Sequence, residues 1–99
     1  MREHNYYVYI LTNFDRTVLY IGVTRSVEKR VAEHRMDANG ERKTLAGRYN
    51  CIHVIYMEHF QYITKAIARE KELKGWSRAK KEALINTVNP KWDFLKGNW

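Results

Sequence analysis

Ninety-nine residues, 44% of them hydrophobic and thirteen aromatic, suffice for one domain spanning residues 1–99 with its own core, and they exclude a disordered chain. No run approaches the ~20 apolar residues of a membrane helix, residues 1–11 lack a signal-peptide pattern, and the lone Cys51 rules out an internal disulfide or a cysteine zinc cluster, so a reducing, cytoplasmic setting is expected. The formal charge of +7, with Lys and Arg interleaved among aromatics, predicts an anionic partner and favours nucleic acid over an acidic protein.

Two short apolar runs, residues 6–11 and 18–23, flank the polar segment TNFDRT, the pattern of a β-hairpin. A helix follows, with Ser26 as its cap, Glu28 at the positive end of its dipole, and Val27, Val31 and Ala38 on one side. Asn39-Gly40 ends it. Residues 40–50, GERKTLAGRYN, read as a polar loop in which Arg42, Lys43 and Arg48 either track a phosphate backbone or simply face water. Residues 51–58, rich in branched and aromatic side chains, make a third strand. Thr64 is placed to cap a helix carrying Ile63, Ala66, Ile67 and Leu73 and ending at Lys74-Gly75. Ser77 opens a last helix with Ala79, Ala83, Leu84 and Val88 inward, stopped by Pro90. The tail KWDFLKGNW, with two tryptophans and a phenylalanine, is expected to pack down. The order β-β-α-β-α-α gives an α+β fold, a small three-stranded antiparallel or mixed sheet covered by helices.

Several positions carry more chemistry than packing requires. Tyr9, Tyr20, Arg30 and His34 follow one another at spacings of 11, 10 and 4 residues, so two phenols on strands and two basic groups one helical turn apart can converge on one phosphate. Either tyrosine can equally be an ordinary core residue. The Arg30 fork suits two phosphate oxygens, and His34 either moves a proton or serves structure. Glu70 falls on the stripe formed by Ile63, Ala66, Ile67 and Leu73, where a carboxylate needs a partner: a salt bridge to Arg69 or Lys74, a proton, or a metal ion.

Tyr7-Val8-Tyr9 followed by Tyr20-Ile21-Gly22 resembles the two signatures of the GIY-YIG nuclease superfamily, with Tyr7 standing where the family name has Gly. The resemblance extends through Arg30, VIYME at residues 54–58, AIAREK at 66–71 and NPKW at 89–92, and is strongest to the small single-domain branch, itself similar to the N-terminal nuclease module of the excinuclease C subunit. It implies a metal-dependent DNA endonuclease, selective for structure more than sequence, in repair or recombination. It further implies one Mg²⁺ or Mn²⁺ on Glu70, an attacking water served by Tyr9, and Tyr20 orienting water or phosphate. Asn89 resembles the superfamily's late asparagine, although Asn-Pro is also a routine helix stop and Asn86 competes for the role. The alternative is a non-catalytic nucleic-acid-binding module, or an adaptor docking on a larger nuclease or repair protein.

Overall fold

Alternation along the hairpin gives each strand two apolar faces to cover. The computed structural model describes residues 4–96. In it β1 (Tyr6–Thr12) pairs antiparallel with β2 (Leu19–Thr24) on one side and with β3 (His53–Phe60) on the other, in the order β2-β1-β3. The turn between β1 and β2 is held by Asn13, whose Oδ1 accepts from the N–H groups of Thr17 at 2.8 Å and Val18 at 3.0 Å. This is the local side-chain bonding that suits asparagine to turns.

Helices α1 (Val27–Ala38) and α2 (Leu45–Arg48) cover one face of the sheet, and α3 (Ile63–Lys74) and α4 (Arg78–Val88) the other. Tyr9 and Leu11 meet Val27, Val31 and Val54 in the first core. Val8, Ile10, Ile21 and Ile55 meet Ala66, Leu73 and Ile85 in the second. The α+β architecture expected from the sequence is therefore present, with the sheet fully antiparallel.

Ser26 caps α1 through the N–H of Lys29 and Ser77 caps α4 through that of Lys80, as expected. Other local expectations are corrected. Thr64 does not cap α3: the helix already begins at Ile63, and its N-cap residue, Tyr62, makes no side-chain cap bond. The loop over 40–50 contains α2, capped by Thr44. The third strand starts at His53, because Asn50 sits at φ 57° and the N–H of Cys51 is taken by Ala46 O of α2. On α4 Ile85 is the buried residue and Leu84 packs half-buried against the same core, while Val88 is 69% exposed and Ala79 and Ala83 face solvent. The sheet meets the helix on the Ile85 side, so that side chain is the one covered.

One extra residue on β3 shifts the register between Ile10 and Leu11, leaving Ile55 without an opposite partner, a β-bulge. The carbonyl of Ile55 is instead met by Asn89 Nδ2–H at 2.9 Å. Beyond it the chain returns along β3, and the N–H of Leu95 donates to Val54 O at 2.7 Å. Trp92 and Phe94 are half-buried there, so this part of the tail packs as expected, while residues 97–99, with Trp99, lie outside the described residues.

Candidate active site

Tyr9 lies on β1 directly across from Gly22 of β2. A Cβ on Gly22 would sit 2.3 Å from the Tyr9 hydroxyl oxygen and 2.5 Å from Cζ, so the bare backbone is what lets the phenol lie across the neighbouring strand. There it is 1% exposed, with its Oη 3.5 Å from His34 Nε2. The ring of Tyr20 meets the same imidazole edge-on, at 5.4 Å between centroids. Strand alternation brings both phenols to the α1 face, and α1 delivers the imidazole between them.

Arg30 lies one turn before His34. Its guanidinium reaches outward to Glu33 Oε2 at 3.0 Å, both side chains about half exposed, yet remains near enough to Tyr9 to act on the phenol. Glu33 was not singled out from the sequence; its position three residues after Arg30 was the available signal.

Burial is the main influence on Tyr9, pushing its pKa up to about 12, and the neighbouring Tyr20 adds to the rise; Arg30 opposes it, and the charge of Glu70 adds a little more. Desolvation thus outweighs the neighbouring cation, because the ring is packed while the guanidinium faces water. His34 moves the other way. Burial, then repulsion from Arg30, lower its pKa, so the imidazole is neutral at pH 7 and able to accept a proton.

Glu70 is 17% exposed and pairs with Lys74 at 3.4 Å, one turn along α3. Arg69, the other expected partner, is occupied elsewhere: it forks onto Glu58 with two bonds of 2.9 Å and also reaches Glu72. The stripe expected around Glu70 is only half buried, since Ala66 and Leu73 are covered while Ile63 and Ile67 are 40% and 37% exposed. Glu70 therefore borders solvent with its charge acting on Tyr9. Among the described residues no three His, Cys, Asp or Glu side chains cluster as a closed metal cage. A single carboxylate at the border of solvent nevertheless fits a hard divalent ion that keeps most of its water ligands, since such ions are commonly held by one or two carboxylates together with substrate phosphate.

The remaining candidates lie apart from this convergence. Asn89 is 8% exposed and its amide is fully engaged: Nδ2 donates to Ile55 O and Asp93 O at 2.9 and 3.0 Å, and Oδ1 accepts from the N–H of Asp93 at 3.1 Å. Asn86, its competitor, accepts from Trp92 Nε1–H at 2.6 Å. Arg42 donates to Arg48 O, and Lys43 pairs with Glu41 at 2.7 Å. This loop is organised by Asp37 at the end of α1, which the sequence reading passed over. Its carboxylate takes the N–H groups of Lys43 and Thr44, each at 2.8 Å, and the Thr44 hydroxyl at 2.7 Å. Gly47 leaves room for it, since a Cβ there would lie 2.0 Å from Asp37 Oδ2.

Residues 5–83 match the GIY-YIG catalytic domain. The chain is 44% identical over 81 residues to a UPF0213 protein of Natronomonas pharaonis, covering 82% of this chain and 91% of that one. It is 37% identical over 79 residues to a UPF0213 protein of Syntrophus aciditrophicus, covering 80% and 87%. The solution NMR structure of a UPF0213 protein from Bacillus halodurans superposes with a TM-score of 0.53 at 29% identity, over 86% of each chain. Nucleases with this domain act on nucleic acid and generally use divalent metal ions, and among the described residues no helix is long and apolar enough to cross a membrane. With Tyr9 laid over Gly22 and His34 set between two phenols, the chain belongs to the GIY-YIG family of nucleases.

Proposed function

We propose that this chain, a single GIY-YIG-type domain over residues 1–99, is a metal-dependent endonuclease that hydrolyses phosphodiesters in DNA, selecting structure more than sequence. The supporting observation is the packing of the Tyr9 hydroxyl against a neutral His34, with Arg30 alongside and Glu70 at the border of solvent.

Tyr9 stays protonated at neutral pH, so its hydroxyl first holds the attacking water by a hydrogen bond. As the water attacks phosphorus it gives its proton to the phenol oxygen, and the phenol passes its own to Nε2 of His34, a relay that leaves no free phenolate. Tyr20 orients the phosphate beside this pair. Arg30 exchanges Glu33 for two phosphate oxygens and stabilises charge gathering on the pentavalent phosphorus. Glu70 would hold a divalent ion, Mg²⁺ or Mn²⁺, and the bound ion would supply Lewis-acid stabilisation of charge on the leaving oxygen. Asn89 acts indirectly, by fixing the bulge of β3. Arg42, Lys43 and Arg48 contact the phosphate backbone outside the scissile position, and repair or recombination of DNA is the fitting process.

The test is a cleavage assay on branched, gapped, single-stranded and plain duplex DNA, with Mg²⁺, Mn²⁺ or EDTA. Metal-stimulated cleavage of a distorted substrate is expected. Tight, salt-sensitive binding without cleavage under every condition would replace the enzyme by the binding module, and a log–log plot of affinity that is flat in salt would remove nucleic acid as the partner.

A further inference from the structure

An open cleft lies away from the tyrosines. It encloses about 790 Å³ between α1, the start of β3 and the returning C-terminal segment. On a helix turning 100° per residue, Glu28, Ala32 and Arg35, which line it, occupy the opposite flank of α1 from Arg30 and His34. One helix therefore separates two sites.

We infer that this cleft is a subsite for an unpaired nucleobase of a single-stranded segment, an inference that rests on nucleic acid being the partner. Its wall is a stack: the His53 ring lies parallel to Phe94 at 4.0 Å and 6°, and the Arg16 guanidinium covers the Phe94 ring at 4.1 Å. Phe14, at the tip of the hairpin, extends this wall at 6.2 Å from Phe94 and is 72% exposed. Burial and the cations Arg35 and Arg16 keep His53 neutral, which suits it to stacking. The floor is apolar, with Val31 and Val54, and the rim carries Arg35 and Lys96 against one carboxylate, Glu28. An aromatic wall open to solvent, an apolar floor and a cationic rim match a flat base with a phosphate on either side. A paired base, with its faces hidden in the duplex stack, has nothing to offer Phe14.

The test is fluorescence anisotropy in EDTA with a labelled twelve-nucleotide single strand and with the corresponding duplex, using the parent chain, Phe14→Ala and Arg35→Ala. Phe14→Ala should weaken single-strand binding at least about fivefold, the low end for losing one stacked base, and change duplex binding less than twofold. Arg35→Ala should act in the same sense. In amide NMR spectra of the parent, adding the single strand should shift residues 14, 31, 32, 35 and 53. Phe14→Ala binding the single strand as the parent does, or losing both ligands alike, overturns the subsite, as do shifts confined to residues 30, 34 and 42–48. Because no metal is present, this outcome is independent of the cleavage assay. A chain that shows the Phe14 pattern and never cleaves keeps the cleft and loses the nuclease, and the converse result does the reverse.

Discussion

Adding one methyl group at Gly22 tests whether the packing of Tyr9 holds the site together. In Gly22→Ala the new Cβ would begin 2.3 Å from the Tyr9 hydroxyl oxygen, 2.5 Å from Cζ and 3.1 Å from Cε1, so the ring must move about 1 Å to reach ordinary contact. It has little room, being 1% exposed and backed by the α1 core. Overpacking of this kind costs roughly 1–3 kcal/mol, which for a domain of this size lowers the melting temperature by roughly 4–24 °C. Cleavage by the folded fraction should fall by about a hundredfold, the scale of a 1 Å misplacement of a catalytic group. Thermal melts and cleavage rates of Gly22→Ala in three backgrounds give the assay. With Tyr9→Phe the penalty should persist, since Cζ remains in the way. With Tyr9→Ala it should vanish, so that Gly22→Ala costs nothing further. A Gly22→Ala protein that melts with the parent, or one whose loss of stability is the same whatever stands at position 9, would refute the proposed contact.

Tyr9→Phe alone should keep the fold and the affinity for DNA and slow cleavage by roughly a hundredfold or more; full activity in both Tyr9→Phe and Tyr20→Phe would end the tyrosine mechanism. Glu70→Ala should abolish metal-dependent cleavage and leave the melting curve almost unchanged, because its partner Lys74 is half exposed and such pairs contribute at most about 1 kcal/mol; a large fall in melting temperature with cleavage preserved would make Glu70 a structural residue. Asn89→Ala should destabilise the fold by about 2–3 kcal/mol in urea titration by stranding the bulge carbonyl of Ile55, and a neutral result would remove its structural role. The neutral imidazole of His34 favours the folded state: with its folded pKa below the ordinary 6.5, its contribution is complete above that pH and is lost as the pH falls through 6.5 toward the folded value. His34→Gln should flatten stability over that window, which melts between pH 5 and 7 would reveal.

The hairpin, α1 and the convergence of Tyr9, Tyr20 and His34 were legible because each rests on local rules: alternation, a serine cap and a fixed spacing. Which side of α4 turns inward was not, because Ala83 and Ile85 both suit a helix and only the position of the sheet decides between them. Ile63 and Ile67 misled for the same reason. The burial of Tyr9 depends on a neighbour thirteen residues away, Gly22, and so does the rise of its pKa against the pull of Arg30. Helix α2 escaped notice because its start depends on Thr44, which is itself held by Asp37 seven residues back. Asn89 stood out only by its resemblance to the superfamily's late asparagine, and its partner is a bulge that no periodicity announces.

The return of the chain along β3 also settles how the sheet meets other molecules. β3 is an outer strand of the order β2-β1-β3, and an outer strand with free N–H and C=O groups is a template for a strand from another copy. Here the Leu95 N–H takes the carbonyl of Val54 and the Asn89 side-chain amide that of Ile55, so two carbonyls near the start of the strand are already occupied. A chain ending before Asp93 would keep the tyrosines and Asn89 yet free the carbonyl of Val54. Sedimentation should then show self-association growing with protein concentration, while a truncated chain that stays monomeric would mean that the edge is guarded by something other than the tail.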